Sequence, residues 1–281
     1  MTAPPDRVRL TRDGHSGVEA IHARFAGHAY DLHRHDDWLA GVTHDGVQDF
    51  FCRGTRHQST AGRVILIEPG EVHDGQAAGE AGFAYSMLYL PRPWLRAALA
   101  DDTGGDPGFA VNLTDDPVLG AAIRTACATL AHPTARLRRE AALDRVVRHL
   151  RPHLGRAARD RAAWRDDRIA RRALERLHQA LAEDIGTDAL ARDAGADNRF
   201  QLSRAFRAAY GTPPHAYLVQ LRLLRARDLL ARGEAPAAVA AACGFADQSH
   251  LGRWFRRAYG LTPAAYRACC TDVPDRIARI G

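Results

Sequence analysis

The chain has 281 residues, 46% of them hydrophobic, which suits two globular domains and excludes a disordered chain. Its formal net charge is +6, every basic residue is an arginine, and it contains neither a run of about 18 apolar residues nor a secretory signal, so we expect no membrane contact. The five cysteines form no CxxC pair, and a reducing, cytoplasmic compartment fits them best.

Residues 20–92 have the pattern of short β-strands and turns. RVILIE (63–68) is a β-branched run, and FAYSMLYL (83–90) is rich in aromatic residues. Asp45-Gly46 stands between two apolar stretches, which predicts a hairpin. Several short strands at close spacing predict a sandwich or a barrel.

The pattern becomes helical from Asp116, which can cap a helix that has Pro117 at its first position. Two apolar stripes at helical spacing follow, Leu119, Ile123, Ala126 and Leu130, then Leu143, Val147, Leu150 and Leu154. Each stripe could cover the core of its own domain or pair with a second copy of the chain. Residues 156–167 are charged and weakly patterned, so we predict a linker there between domains 1–155 and 168–281.

A 20-residue segment occurs twice, 49 residues apart. GADNRFQLSRAFRAAYGTPP (195–214) and GFADQSHLGRWFRRAYGLTP (244–263) have nine identical positions. Each copy follows a short helical stretch and has a glycine turn and a capping residue, Asn198 or Asp247, before a second helix. This is the helix-turn-helix arrangement. The buried stripes predicted for the two second helices are Leu202, Phe206 and Tyr210, and Leu251, Phe255 and Tyr259.

The outward starts of the two second helices are polar and differ from each other: Asn-Arg-Phe-Gln opens one and Asp-Gln-Ser-His opens the other. Such residues suit DNA recognition, because the N-terminal side chains of a recognition helix reach base edges. Residues 187–268 contain 12 arginines and six acidic residues, so the excess positive charge lies on this module. A phosphate-rich partner would explain that excess, and so would an Arg-rich solvated surface.

One uninterrupted helical stretch, bounded by proline and Gly233, joins the two copies. About 19 residues at 1.5 Å each give roughly 28 Å. Successive major grooves on one face of DNA are about 34 Å apart. A rigid helix of this size could hold two recognition helices one turn of DNA apart.

Residues 168–268 resemble the DNA-binding domain of AraC/XylS-type bacterial transcription regulators. The resemblance rests on ALARDAG…LSRAFRAAYGTPPHAYLVQLRLLRARDLL and on VAAACGFADQSHLGRWFRRAYGLTPAAYR, which matches the signature stretch of that family. It implies a sequence-specific regulator of promoter DNA, and an activator, since the family is mostly activators. The base contacts that it implies are Arg199, Phe200, Ser203, Arg204, Gln248, Ser249, His250 and Arg253, with phosphate contacts from Arg207 and Arg256. Phe200 could touch a thymine methyl group or pack inward.

The stretch from HRH to PGEVH resembles the cupin barrel that is the sensor half of AraC-type regulators. His33 and His35 would lie on one face of a strand, and together with His73 they could bind a metal inside a small barrel. Leu39 and Ala40 occupy the positions where metal-dependent cupin enzymes carry a glutamate ligand. We therefore predict no metal and no cofactor, while whether the three histidines ever bind a metal stays open.

The resemblance also implies an effector inside the barrel. The candidate effector-binding residues are His33, His35, Trp38, Glu68, His73, Tyr85 and Met87. We predict an α+β multidomain protein: an N-terminal cupin-like β-barrel with flanking helices, then a C-terminal all-α domain with two helix-turn-helix motifs joined by a long helix. Its expected partners are double-stranded promoter DNA, a small-molecule effector and a second copy of the chain, and a contact with RNA polymerase is compatible with this. No catalytic residues are expected; the alternative is a metal-dependent cupin enzyme with an attached helical domain.

Overall fold

The computed structural model describes residues 6–99, 108–155 and 168–271, which form one sheet-rich unit and one helical unit. The predicted fold class is confirmed. The predicted linker, 156–167, lies outside the described residues. Among the residues described, no helix is both long enough and apolar enough to cross a membrane.

The N-terminal unit is built from antiparallel strands. They are β1 (Arg7–Arg12), β2 (Glu19–Phe25), β3 (His28–His33), β4 (Trp38–Cys52), β5 (Thr55–Thr60), β6 (Val64–Ile67), β7 (His73–Ala77), β8 (Phe83–Leu90), β9 (Gly108–Phe109), β10 (Leu113–Thr114) and β11 (Leu154–Gly155). One sheet has the order β1-β2-β8-β4-β6-β10, while β5 and β7 also pair with β4, and β3 pairs with β7. β4 therefore pairs with four other strands, β5, β6, β7 and β8.

The predicted hairpin at Asp45-Gly46 is wrong, because both residues lie inside the continuous strand β4. The pairing of β4 with β8 shifts register between Thr43 and Asp45, and Gly46 has a φ of +69°. A Cβ atom on Gly46 would lie 2.0 Å from the Gly82 carbonyl oxygen. The glycine is thus required for a bulge and a close backbone approach, not for a turn.

Successive residues of these strands face opposite sides of the sheet. Trp38, Ala40, Val42 and Leu66 belong to a buried cluster that also contains residues of three helices, α1 (Arg92–Ala98), α2 (Pro117–Leu130) and α3 (Arg136–Leu150). The alternate residues, such as Leu39, Ile65 and Met87, face a cavity on the other side. The sheet thus separates an apolar helical layer from the interior of the barrel-like unit.

Helices α2 and α3 pack on their own sheet. Asp116 caps α2 as predicted, since its Oδ1 accepts hydrogen bonds from the amides of Val118 and Leu119, each at 2.9 Å. Leu119 and Ile123 are fully buried, as are most residues of both predicted stripes. Because those residues belong to the same cluster as the strands, the stripes cover the core of their own domain.

The C-terminal unit is helical throughout its described part. Its helices are α4 (Arg168–Gln179), α5 (Thr187–Ala194), α6 (Arg199–Tyr210), α7 (Pro214–Ala231), α8 (Pro236–Ala242), α9 (Gln248–Tyr259) and α10 (Pro263–Thr271). Helix α7 is the predicted connecting helix, and its 18 residues span about 27 Å. Arg222 of α7 donates hydrogen bonds to the Leu181 and Glu183 carbonyls, both at 2.8 Å, and Arg227 donates to the Tyr266 hydroxyl of α10 at 3.1 Å.

Candidate nucleic-acid interface and effector cavity

The two helix-turn-helix units, α5–α6 and α8–α9, have the same turn. Gly195 and Gly244 have φ angles of +75° and +73°. The amide that follows each glycine bonds to a carbonyl five residues earlier, Ala196 to Ala191 and Phe245 to Ala240, both at 2.9 Å. Such a glycine C-cap satisfies the last carbonyls of the first helix and redirects the chain. The doubled sequence therefore forms the same local structure twice.

The second helix of each unit is capped by the predicted residue. The Asn198 side chain accepts from the Phe200 and Gln201 amides at 3.0 Å, and Asp247 accepts from the His250 amide at 2.6 Å. Gln201 also accepts a hydrogen bond from the Asp197 amide at 2.6 Å, which closes a reciprocal cap. These bonds fix the starts of α6 and α9, where the predicted base contacts lie.

The inner faces of α6 and α9 hold the helices in place. Leu202 and Phe206 are fully buried in a core shared with α4, α5 and α7. Leu251 and Phe255 are also fully buried, and the Phe255 ring lies 5.5 Å from that of Tyr266, measured between centroids. The outer faces are thus presented on rigidly packed helices.

Most of the predicted DNA contacts are exposed. Those with exposed side chains are Arg199, Phe200, Arg204, Arg207, Gln248, Ser249, Arg253 and Arg256, whereas Ser203 and His250 are half-buried. On α6 the structure brings four of them together, because Phe200, Ser203, Arg204 and Arg207 line one shallow groove with Ala208. The arginine pairs 204 and 253, and 207 and 256, occupy equivalent positions of the two copies.

Phe200 does not pack inward. Its side chain is 63% exposed, and the Arg199 guanidinium carbon lies 5.1 Å from the centroid of its ring. An exposed aromatic ring beside a cation can contact an apolar base edge such as a thymine methyl group. The exposure of the ring excludes inward packing, and the contact with a thymine methyl group stays a prediction.

His250 faces its own domain more than the other predicted contacts do. Its Nε2 accepts a hydrogen bond from the Trp254 indole at 2.9 Å, and its Nδ1 lies 3.3 Å from the Ala246 amide nitrogen. Its equivalent in the first copy is Gln201, which closes the cap of α6. A neutral imidazole has one acceptor nitrogen, so only one of these two nitrogens accepts at a time, and a base contact from His250 stays a prediction.

A narrow cavity with about 20 Å³ of free space lies inside the N-terminal unit. Its lining residues come from the strands and their connections: Tyr30, His33, Leu39, Gln48, Phe50, Ile65, Ile67, His73, Asp74, Tyr85, Met87 and Tyr89. The walls are mainly apolar and aromatic, with a few polar groups. This is the usual character of a pocket for a small organic molecule.

The sequence matches two family models. Residues 15–147 match the AraC-like ligand binding domain, and residues 190–268 match a helix-turn-helix domain. The chain belongs to the AraC family of transcription regulators. It is a DNA-binding transcription regulator with an effector-binding domain. The search of curated proteins found no match to this AraC-family regulator.

Solved structures of ToxT from Vibrio cholerae have the same two-domain fold. The structure of wild-type ToxT with an unsaturated fatty acid bound is 13% identical, with a TM-score of 0.56, over 91% of this chain and 96% of that chain. ToxT bound to (E)-4-(8-methylnaphthalen-1-yl)but-3-enoic acid is 11% identical, with a TM-score of 0.56, over 90% and 99% of the two chains. At this level of identity the likeness concerns the fold.

Four of the seven predicted effector residues of this AraC-family regulator line the cavity, namely His33, His73, Tyr85 and Met87. His35 is buried beside His33, with ring centroids 4.7 Å apart. Trp38 does not line the cavity: it lies on the opposite face of β4 and packs against Phe109 in the helical layer. Since neighbouring strand residues alternate, Leu39 takes the inward position.

Glu68 also lies away from the cavity lining. Its carboxylate accepts hydrogen bonds from the Arg53 guanidinium and from the Phe109 amide, the latter at 2.7 Å. Arg53 further bonds to Glu71 at 2.8 Å and to the Phe109 carbonyl at 3.0 Å. A buried carboxylate needs such partners, so Glu68 joins the sheet to the segment around Phe109 and is not presented to a ligand.

Several lining residues were not predicted from the sequence, and Gln48 is the most informative of them. Its side chain is buried, and its Oε1 has no hydrogen-bond partner among the described atoms. The hydroxyls of Tyr30 and Tyr85 bond to each other, and burial raises the pKa of both phenols. Two neutral phenols and a buried amide give the cavity its uncharged hydrogen-bonding groups. Alternation along β4 counted from Leu39 would not have found Gln48, because the register shift between Thr43 and Asp45 changes which residues face inward.

Proposed function

We propose that α6 and α9 read two adjacent major-groove segments of one promoter site. The observation that carries this proposal is the equivalence of the two units: both have the same turn, a side-chain cap and exposed arginines at matching positions. In this proposal Arg204 and Arg253 contact bases, and Arg207 and Arg256 contact phosphates. The connecting helix α7 is bonded to the segment before α5 through Arg222 and to α10 through Arg227, which supports a fixed spacing.

Footprinting tests this assignment on DNA selected by the wild-type protein from a random library. We expect two protected segments about 10 base pairs apart, one per helical turn. The Arg204→Ala variant should lose protection of one segment and Arg253→Ala of the other, while Arg232→Ala, an exposed arginine outside α6 and α9, serves as the matched control. Loss of the same segment in both variants, or of neither, would exclude the two-groove arrangement.

The proposed effector is a small amphipathic molecule, and the walls of the cavity must move apart to admit it, because the free space is about 20 Å³. Apolar walls would cover its body, while Gln48 and the two tyrosines would bind a polar group. The ToxT ligands named above, a fatty acid and an aryl-substituted butenoic acid, are both acids with an apolar body. This similarity supports acids as the first class to examine.

A thermal-shift screen of aliphatic acids, aromatic acids, sugars and amino acids tests the effector proposal. We expect an acid to raise the Tm of the wild-type protein, and this increase to be smaller in Gln48→Leu. Gln58→Leu is the matched control, since Gln58 lies exposed on the neighbouring strand β5. An equal increase in both variants would place the ligand outside the cavity, and a response to sugars alone would contradict the amphipathic class.

We also infer that the regulator activates transcription and contacts RNA polymerase. It would act in the cytoplasm, as a homodimer and without catalysis. The family resemblance supports activation. The exposed Val118 and Leu137, at the starts of α2 and α3, are candidates for the dimer contact, because the two buried stripes are already occupied. A reporter assay tests activation, and the concentration dependence of the sedimentation coefficient tests dimerisation. A reporter signal that falls when the regulator is expressed would indicate repression instead.

A further inference from the structure

Three histidines come together at one edge of the cavity because of the strand register. His33 ends β3 and is paired directly with His73, the first residue of β7. His35 follows two residues later and returns to the same side. The ring centroids of the three residues are 4.4–5.2 Å apart, and their ligand nitrogens lie within 4.8 Å of one another. All three side chains are buried.

Main-chain carbonyls orient two of the rings. The Nδ1 of His33 lies 2.6 Å from the Asp31 carbonyl oxygen, and the Nδ1 of His73 lies 2.9 Å from that of Glu71. Nδ1 donates in such a bond, so Nε2 of each neutral ring carries a lone pair. The Nε2 of His33 lies 3.0 Å from the Nε2 of His35, which places these atoms at the centre of the cluster. A main-chain carbonyl that holds Nδ1 is a usual feature of metal-bound histidines.

The donor atoms of the three rings suit a transition-metal ion. Imidazole nitrogens are preferred ligands of zinc, copper, nickel and iron. A tetrahedral ion with bonds of about 2.0–2.1 Å needs nitrogens roughly 3.4 Å apart. The observed separations reach 4.8 Å at most, so modest ring rotations would suffice.

We propose that His33, His35 and His73 bind one divalent transition-metal ion, with zinc as the first choice. His33 and His73 both line the cavity, so the remaining coordination position faces the cavity. Water or an oxygen atom of the effector completes the coordination. Leu39 stands where cupin enzymes carry a carboxylate ligand and lines the same cavity, so the site has three protein ligands. This proposal goes beyond the regulatory function and does not depend on how DNA is read.

Cobalt and zinc binding to the full-length protein tests the site. After removal of metals with a chelator, the wild-type protein is titrated with Co²⁺ and its visible spectrum recorded, and Zn²⁺ is measured by equilibrium dialysis and elemental analysis. We expect about one ion per chain and an intense, tetrahedral-type Co²⁺ spectrum. His73→Gln and His33→Gln should each bind more than about tenfold more weakly. His132→Gln, at an exposed position of the same unit, should bind like the wild type.

Circular dichroism of each variant establishes whether it is folded. If His73→Gln does not fold, the wild-type spectrum and the His33→Gln variant still decide the matter. Wild-type protein that binds no Co²⁺ with intense visible absorption would overturn the proposal. Binding that persists unchanged in both folded variants would also overturn it, because the ion would then lie elsewhere.

Discussion

Arg227 of the connecting helix donates a hydrogen bond to the Tyr266 hydroxyl at 3.1 Å, and both side chains are buried. The guanidinium carbon also lies 5.9 Å from the centroid of the Tyr266 ring. The bond joins the middle of the helical unit to α10, which packs on the second recognition helix. It is therefore one of the contacts that fix α9 relative to α7.

Tyr266→Phe should remove this bond and little else. Because a buried guanidinium would lose one acceptor, we expect the free energy of unfolding to fall by about 1–2 kcal/mol. Urea denaturation followed by circular dichroism measures the change. Arg225→Ala, which breaks only an exposed ion pair with Asp228, is the control and should change stability by about 0.5 kcal/mol or less. Equal losses in the two variants would contradict a specific role for the buried bond.

Arg253→Ala should weaken binding to the selected DNA site by about 1–3 kcal/mol and relax its preference at one base position. Arg256→Ala should weaken specific and non-specific DNA alike and reduce the salt dependence of binding, as expected for a phosphate contact. Fluorescence anisotropy at several salt concentrations separates the two effects. Unchanged affinity in Arg253→Ala would show that α9 does not enter the groove as proposed.

The equivalent turn glycines should tolerate alanine differently. A Cβ at Gly244 would lie 2.8 Å from the Ala182 carbonyl oxygen, whereas at Gly195 the nearest atom is the end of the Arg172 side chain, at 3.1 Å. Both variants adopt an unfavourable φ, at about 1–2 kcal/mol, but only Gly244→Ala also meets rigid backbone, at about 1–3 kcal/mol more. The Tm of Gly244→Ala should be lower than that of Gly195→Ala. The reverse order would exclude the clash with the Ala182 carbonyl as the cause.

His22 should make the N-terminal unit less stable in mild acid. Burial lowers its pKa below the ordinary value of 6.5, and its Nδ1 lies 2.7 Å from the Ser86 hydroxyl oxygen. As the pH falls, His22 is protonated at a higher pH in the unfolded chain than in the folded protein. The contribution of neutral His22 to the free energy of unfolding is therefore complete above about pH 6.5 and is lost as the pH drops toward the folded pKa. Tm measured from pH 7.5 to about pH 5 should fall less in His22→Gln than in the wild type.

The matched control for the acid experiment is His132→Gln, whose pH dependence should follow that of the wild type. Burial also lowers the pKa of His44 and His73, so His22→Gln should retain part of the decrease. A decrease identical in His22→Gln and wild type would show that His22 contributes nothing to it.

Local signals made the helical unit predictable. A glycine turn, a capping Asn198 or Asp247 and an apolar stripe act over a few residues, so the doubled segment predicted the two helix pairs and the starts of α6 and α9 correctly. The orientation of His250 was not available from the sequence, because it depends on Trp254 one turn later.

The cavity was less predictable because its walls are set by long-range pairing. Asp45-Gly46 reads as a turn in isolation, and only its pairing with Ala84 and Phe83 shows that the strand continues. Nor could the sequence decide whether Trp38 or Leu39 faces inward. That choice depends on helices α2 and α3 covering one side of the sheet, which brings in residues about 80 to 110 positions away.

Strand β4 contributes Leu39 near one end and Gln48 and Phe50 near the other to the lining of the same cavity. A molecule that changes the separation of these residues must therefore bend a single peptide segment, and the irregular step beside Gly46 is where that segment can yield. The outward residues of this strand support α2 and α3. Binding of an effector would thus displace α2 and α3 through the backbone of β4 itself, without a chain of separate side-chain contacts.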